Sequence, residues 1–380
     1  MKKQRIIRLA RSIVDEREAR ELRRVLLEDG YLGMGQEVRL FEDELGKFFG
    51  GKAEVVCVNS GTAALHLAIM AAVKPNEEVL VPSFTFVASF QAITAAGAKP
   101  VACDIDPLTL MLDLKDAAKR LTKRTRVIMP VHYSGAVGNL KSVYAFAKEH
   151  KLRVVEDAAH AFGTTYQGKR VGSFGDITCF SFDGIKNITC GEGGAVVTRD
   201  RKIAQFVKDA RLLGVQKDTE RRYAGQRSWE FEVVHQGYRY HMSNLLAAIG
   251  RVQLNKFSEF AGARQFLAKN YQKELIGIPG IELLPVDLAA VVPHIFPILV
   301  VEGRRDKLKA FLQAKGIETG IHYYPNHRLK FFSKKNTRFP TTDKIYSEIL
   351  SLPLHPGLNP DEQKRVIAMI RRFFLYERTL

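Results

Sequence analysis

From about residue 54 to residue 210 the chain alternates short apolar runs with longer stretches of helical periodicity, and this rhythm constrains the fold more than any other feature. The runs VVCVN (55–59), EVLVP (78–82), KPVACDI (99–105), RVIMPVH (126–132), LRVVED (152–157), ITCFSF (177–182) and GAVVTRD (194–200) read as strands. Residues 61–72, 83–97, 114–121 and 140–150 read as the helices between the first five. Continuous apolar runs suit strands buried on both faces, so the pattern predicts a mostly parallel α/β sheet covered by helices.

The order changes after about residue 243. Residues 243–275 keep helical periodicity without a strand break and read as a connector. From about residue 290 the pattern is mixed: FPILVV as a strand, RDKLKAFLQAKG as a helix, ETGIHYYP as a strand, and helices near 341–350 and 360–376. The expected division is an N-terminal helical segment over 1–30 packed near the small domain, a large domain over 31–250 and a small α+β domain over 251–380. A chain of 380 residues is long enough for such parts.

Composition serves mainly to exclude. With 46% hydrophobic and 26% charged residues, the chain is not disordered, collagen-like or a disulfide scaffold. The first 24 residues lack the apolar core of a secretory signal. The apolar stretch 288–301 holds His294 and two prolines and is too short to span a bilayer. Cys57, Cys103, Cys179 and Cys190 form no CxxC pair and no zinc spacing, so a reducing cytoplasm and no metal are expected. A net charge of +17 fits, in order, a solvated surface, an anionic small-molecule substrate or nucleic acid. The basic stretch 326–340, with five Lys/Arg and no acid, reads as a solvated loop. No motif of a nucleic-acid-binding fold is present, so neither nucleic acid nor membrane is an expected partner.

Four features stand at the C-terminal ends of predicted strands, the edge where open α/β sheets bind ligands. Asn59-Ser60-Gly61-Thr62 can bring backbone and a helix N-terminus to an anion, or be a plain helix cap. In Glu156-Asp157-Ala158-Ala159-His160, an acid ending an apolar strand needs a metal, an arginine or a protonated ring nitrogen, or else caps a helix. In Ser181-Phe182-Asp183-Gly184-Ile185-Lys186-Asn187, Lys186 lies between Ile185 and Cys190 and before a glycine-rich run. A lysine alone is most often a surface charge, but a desolvated one has a lowered pKa and can form a Schiff base. Phe84-Thr85-Phe86 offers aromatic rings at a helix start, which alone would be core. Together they supply an anion cradle, an aromatic plate, an acid and, 29 residues beyond it, a lysine. These are the needs of pyridoxal 5′-phosphate: its phosphate, ring face, pyridinium nitrogen and aldehyde.

From about Gly30 to Tyr324 the chain resembles the DegT/DnrJ/EryC1/StrS family of nucleotide-sugar aminotransferases, fold-type I pyridoxal-phosphate enzymes. The resemblance is carried by stretches such as YLGMGQEVRLFEDELGKFFG, VNSGTAALHLA, VPSFTFVAS, VVEDAAHAFGTTYQGKRVGSFGDITCFSF, KNITCGEGGAVVT and GYRYHMSNLLAAIG. It implies a large domain with a mostly parallel seven-stranded sheet flanked by helices, plus a smaller C-terminal α+β domain. Lys186 would be the Schiff-base lysine and proton shuttle, and Asp157 the partner of the pyridinium nitrogen. His160 would lie beside the ring and Phe86 would stack on it, while Gly61, Thr62, Ala63 and Ser181 would hold the phosphate. Relatives bring an asparagine of the neighbouring subunit to that phosphate from a GYNYRM-like motif, where this chain has Arg239 and, two positions on, His241. A cation still suits a phosphate there. Tyr31, Gly33, His322 and Tyr323 match positions lining the sugar pocket. Arg221, Arg222 and Arg227, within 211–236, are candidates for the substrate pyrophosphate, with a solvated loop as the alternative.

The implied reaction is ping-pong transfer of an amino group from L-glutamate to a keto sugar of a nucleoside-diphosphate sugar, in a homodimer with shared active sites, the cofactor alternating with pyridoxamine 5′-phosphate. KNITCGEGG resembles C-4 enzymes more than the KNLGALGDGG of C-3 enzymes, pointing to a dTDP- or UDP-linked 4-keto-6-deoxyhexose for a surface polysaccharide such as lipopolysaccharide O-antigen. C-3 amination, a GDP-sugar and a cyclitol ketone are the alternatives. Lys186 argues against C-3 dehydration, in which histidine replaces it. Asp183 departs from the SFH of relatives. A ligand-sensing regulator on the same fold is the reading from a different class.

Overall fold

The computed structural model describes residues 6–227, 229–334 and 337–376. Its strands, in chain order, are β1 (Glu54–Val58), β2 (Glu78–Pro82), β3 (Lys99–Cys103), β4 (Thr125–Ile128), β5 (Arg153–Asp157), a two-residue hairpin pair β6 (Thr165–Tyr166) and β7 (Lys169–Arg170), β8 (Ile177–Ser181) and β9 (Gly194–Thr198). Seven of them build one sheet in the order β1-β9-β8-β5-β4-β2-β3. The pairs from β8 through β3 are parallel, and β9 runs antiparallel to both β8 and β1. The mostly parallel seven-stranded sheet expected from the sequence is present.

Alternation along each strand feeds two cores. Val56 and Val58 of β1 join Val79, Val81, Leu67, Ile69, Phe90 and Ile93 on one face. Val55 and Cys57 face the other, where Phe41, Phe49, Phe162, Phe180 and Phe182 pack. Phe49 stacks on Phe180 and meets Phe162 edge-on, geometries that aromatic quadrupoles favour. The helix Gly61–Ala72 is apolar nearly all round and buries Ala63 through Ile69, so it lies against the sheet with its N-terminus at the strand ends.

The smaller part has an antiparallel sheet of β10 (Ile281–Leu283), β11 (Phe296–Val300) and β12 (Ile349–Leu352), under the helices Phe257–Leu275, Arg305–Ala314 and Pro360–Tyr376. Its own core includes Ile298, Val300, Leu308, Leu350, Val366 and Ile370. The connector is two helices, Asn244–Asn255 and Phe257–Leu275, meeting at the buried Lys256. The Lys256 ammonium binds Glu18 at 2.8 Å and Asp15 at 2.9 Å, which docks the helix Glu16–Arg24 on Asn244–Asn255. The preceding chain packs on the smaller part, where Ile7 bridges Ile317 and joins the core of that part. Among the described residues no helix is long and apolar enough to cross a membrane.

Three local expectations change. Of the helical segment expected over 1–30, residues 6–15 are not helical, and the helix Glu16–Arg24 runs on into one π-helical turn, Val25–Asp29. The helix expected over 83–97 starts only at Val87, because Ser83 still pairs with Cys103 and Phe86 is extended. The strand expected in ETGIHYYP does not form a ladder: Gly320 makes a lone bridge to Ser351, and His322 and Tyr323 turn to a cavity instead.

Candidate active site

β1, β5 and β8 deliver their C-terminal ends to one cavity of about 580 Å³. Gly61, Thr62, Phe86, Asp157, His160, Ser181, Lys186, His322 and Tyr323 all line it. These residues come from five separate stretches of sequence, and the sheet edge brings them together.

Ser60 caps the helix Gly61–Ala72 with extended backbone, its Oγ accepting the Ala63 N–H at 3.1 Å. The amides of Gly61 and Thr62 precede any intrahelical acceptor and stand at the positive end of the helix dipole. A Cβ on Gly61 would lie 2.7 Å from the Cβ of Ser181, so glycine is what lets β8 press Ser181 against the helix start. The result is an anion cradle of amides and hydroxyls. The Ala63 amide, expected in that cradle, stands at the same helix start and donates here to Ser60 Oγ, while its methyl is buried in the core.

Asp157 ends β5 with its side chain buried. Ser89 Oγ donates to its Oδ2 at 2.8 Å and the Ala159 amide to Oδ1 at 3.2 Å. Burial still holds its pKa above the usual carboxylate range, with the hydrogen bonds and Lys186 opposing. A protonated ring nitrogen against it would relieve that penalty. Lys186 closes the turn that follows β8, its amide donating to Asp183 O at 3.0 Å. Burial pulls its amine below the ordinary lysine pKa, against the opposing pull of Asp183 and Asp157.

Three histidines form one wall. The Ser134 amide donates to His160 Nδ1 at 3.3 Å, and His160 Nε2 lies 2.8 Å from the Tyr323 hydroxyl. His294 packs on His160 with ring centres 4.4 Å apart, and its Nδ1 is buried without a partner. Burial pushes both far below the usual histidine pKa, and burial with Lys186 nearby takes His322 to about 4. The wall is therefore neutral at physiological pH. Phe86 is 55% exposed, its ring 5.5 Å from that of Tyr323, an uncovered aromatic plate at the cavity.

Sequence reasoning missed two of these residues. His132 lines the cavity, donates from Nε2 to Glu156 at 2.7 Å, and has no partner at Nδ1. It follows β4, so the strand-end rule that selected Asp157 would have selected it. His294 sits inside an apolar run and carries no spacing signal.

Other expected residues lie elsewhere. Tyr31 and Gly33 turn their carbonyls to Asn244 at the start of the helix Asn244–Asn255, outside the cavity lining. Arg239 is exposed, held through its backbone to Leu212 and Asn59. Arg221 and Arg222 lie on the helix Asp218–Tyr223, where Arg222 pairs with Asp218 at 2.7 Å, and Arg227 is exposed. None of these arginines lines its own chain's cavity. His241 is half-buried, and burial beside Arg239 takes it to about 4.

The donor set fits pyridoxal 5′-phosphate. Gly61 is where a Cβ would fill the cradle, Asp157 is a buried acid in want of a cation, and Lys186 is a desolvated amine in the same cavity. Comparison with known proteins agrees. The family model described as the DegT/DnrJ/EryC1/StrS aminotransferase family matches residues 12–371. The chain is 36% identical over 357 residues to the spore coat polysaccharide biosynthesis protein SpsC of Bacillus subtilis, covering 91% of each chain. It matches the aminotransferase TlmJ of Streptoalloteichus hindustanus with a TM-score of 0.90 at 30% identity, over 99% of this chain and 100% of that one. It also matches Spr1654 of Streptococcus pneumoniae, solved in PMP and PLP forms, with TM-scores of 0.90 and 0.89 at 26% identity, over 99% of this chain and 100% of that one. Fold, site and relatives thus converge on one chemistry: the chain belongs to the DegT/DnrJ/EryC1/StrS aminotransferase family and is a pyridoxal-phosphate-dependent sugar aminotransferase.

Proposed function

We propose that the chain moves an amino group from L-glutamate to the C-4 ketone of a dTDP- or UDP-linked 4-keto-6-deoxyhexose, by a ping-pong route. The observation that carries the reading is the placement of Lys186 and Asp157 in one cavity with a helix-end anion cradle. Gly61, Thr62 and Ser181 would bind the cofactor phosphate, Phe86 would cover the ring, and Asp157 would keep a proton on the ring nitrogen. The bound cofactor supplies the electron sink for the substrate carbon. Lys186 Nζ would hold the cofactor covalently and, once the incoming substrate amine displaces it, would be free to take a proton from the substrate carbon and return it as general acid. Its desolvated amine is less basic than an ordinary lysine and so gives up its proton more readily. The C-4 position rests on KNITCGEGG, and a surface polysaccharide as destination on the naming of SpsC.

The homodimer belongs to the same proposal. Leu213, Trp229, Phe231, Val233 and Val234 expose apolar side chains along one segment, Trp229 by 87%. A second copy covering them would bring Arg239 to the neighbouring cradle, and Arg221, Arg222 and Arg227 to the substrate pyrophosphate. Tyr31 and Gly33 would border the sugar pocket from outside the cavity, with His322 and Tyr323 inside it. The four cysteines are buried free thiols, in keeping with a reducing cytoplasm.

The test is incubation of the protein with pyridoxal phosphate, L-glutamate and a panel of dTDP-, UDP- and GDP-linked 4-keto and 3-keto sugars and a cyclitol ketone. The reading expects an axial or equatorial amine at C-4 of a dTDP- or UDP-sugar, identified by NMR. Amination at C-3, of a GDP-sugar or of the cyclitol would replace the substrate assignment. Cofactor binding without turnover of any ketone would favour the ligand-sensing regulator.

A further inference from the structure

The turn from β8 to Lys186 is built by Asp183. Its carbonyl accepts the Lys186 amide at 3.0 Å, and its carboxylate Oδ1 accepts the Ile185 amide at 3.2 Å. An acid whose side chain and backbone both hold the next three residues makes a turn of defined shape. Asp183 and Lys186 also line the same cavity. The same side chain thus sets where the lysine stands and places a fixed negative charge beside it.

We propose that Asp183 is a positioning residue for Lys186, shaping the turn that presents the amine and holding it as a proton carrier. The inference rests on the assignment of Lys186 as the working lysine and goes beyond it. The groups around the amine define what Asp183 must do. Asp157 at the end of β5 is the other acid that favours the ammonium, and Arg264 from the helix Phe257–Leu275 opposes it. His160, His294 and His322 contribute a neutral wall, and Glu192 across the cavity has its carboxyl raised by burial and by Asp183. Burial weakens the hold of the amine on a proton taken from a substrate carbon. Asp183 counters that burial, and among the charged neighbours it acts most strongly.

The charge and the turn can be separated. In Asp183→Asn the amide oxygen can still accept the Ile185 N–H, so the turn stays and the charge goes. In Asp183→Ala both go. The measurement is the pH dependence of acetic anhydride labelling of Lys186, read by mass spectrometry on the full chain freed of cofactor. Visible absorption after adding back pyridoxal phosphate is recorded for each protein. The labelling midpoint should move to lower pH in both variants. Only Asp183→Ala should also slow the return of the visible band. A labelling midpoint unchanged in Asp183→Asn overturns the proposal, and this variant decides the matter if Asp183→Ala does not fold. Wild type that develops no visible band overturns the Lys186 assignment instead, a result the labelling midpoints do not mimic.

Discussion

His160 donates its Nε2–H to the hydroxyl oxygen of Tyr323 at 2.8 Å, because its Nδ1 already accepts the Ser134 amide at 3.3 Å. A neutral imidazole has one N–H, and burial keeps this one neutral. Tyr323 is left with its own proton free to donate toward the cavity. Replacing it with phenylalanine removes that donor while keeping the ring beside Phe86. Tyr323→Phe should lower kcat/KM for the sugar acceptor by about five-fold, the worth of one neutral hydrogen bond, with cofactor absorption unchanged. Steady-state kinetics with the acceptor varied checks it.

Gly61 is the tightest point of the anion cradle. A methyl there meets Ser181 at 2.7 Å, so either the helix start or β8 must shift. Overpacking of this kind costs about 1–3 kcal/mol, so Gly61→Ala should weaken cofactor binding by roughly tenfold or more. Titration of the cofactor-free protein with pyridoxal phosphate measures it.

Asp157 carries a sign that can be checked by melting. Its folded pKa is raised by burial, so ionisation opposes folding in the cofactor-free chain. The penalty is absent below the unfolded value of about 3.9 and grows as pH rises through the folded pKa. Asp157→Asn should therefore melt higher than wild type at neutral pH without cofactor, and the gap should close at acid pH. With cofactor the same variant should lose about 10²-fold or more in turnover, because a preorganised charge is missing.

Arg211 ties β1, which leads into the cradle, to the helix Asp218–Tyr223. It is fully buried, donates to Glu42 at 2.5 Å, to Cys57 O at 2.6 Å and to Tyr223 at 2.8 Å, while Glu42 also accepts the Cys57 amide at 2.7 Å. Removing one member strands a buried charge. Glu42→Ala should cost about 3–5 kcal/mol in urea unfolding, far more than loss of an exposed pair such as Arg8–Glu318.

The sheet was legible because each of its strands is a short run of apolar residues between turn signals. The reversal of β9 was not, since GAVVT reads the same in either direction and its antiparallel pairing is set by the short return from β8. Asp157 and Lys186 were legible from a strand-end position plus a family motif. His294 was hidden in an apolar run, and its place beside His160 comes only from the packing of two distant segments. Segment 318–325 has strand-like composition, but the cavity claims His322 and Tyr323.

The most direct test of the central claim is visible absorption of the purified protein with pyridoxal phosphate, before and after L-glutamate, for wild type and Lys186→Ala. Wild type should show a visible band that glutamate bleaches as the amino group passes to the cofactor, and the variant should be unable to form the enzyme-bound Schiff base. A wild-type band that glutamate leaves untouched would contradict glutamate as the donor. A variant that matches wild type before and after glutamate would contradict Lys186 as the residue that does the work.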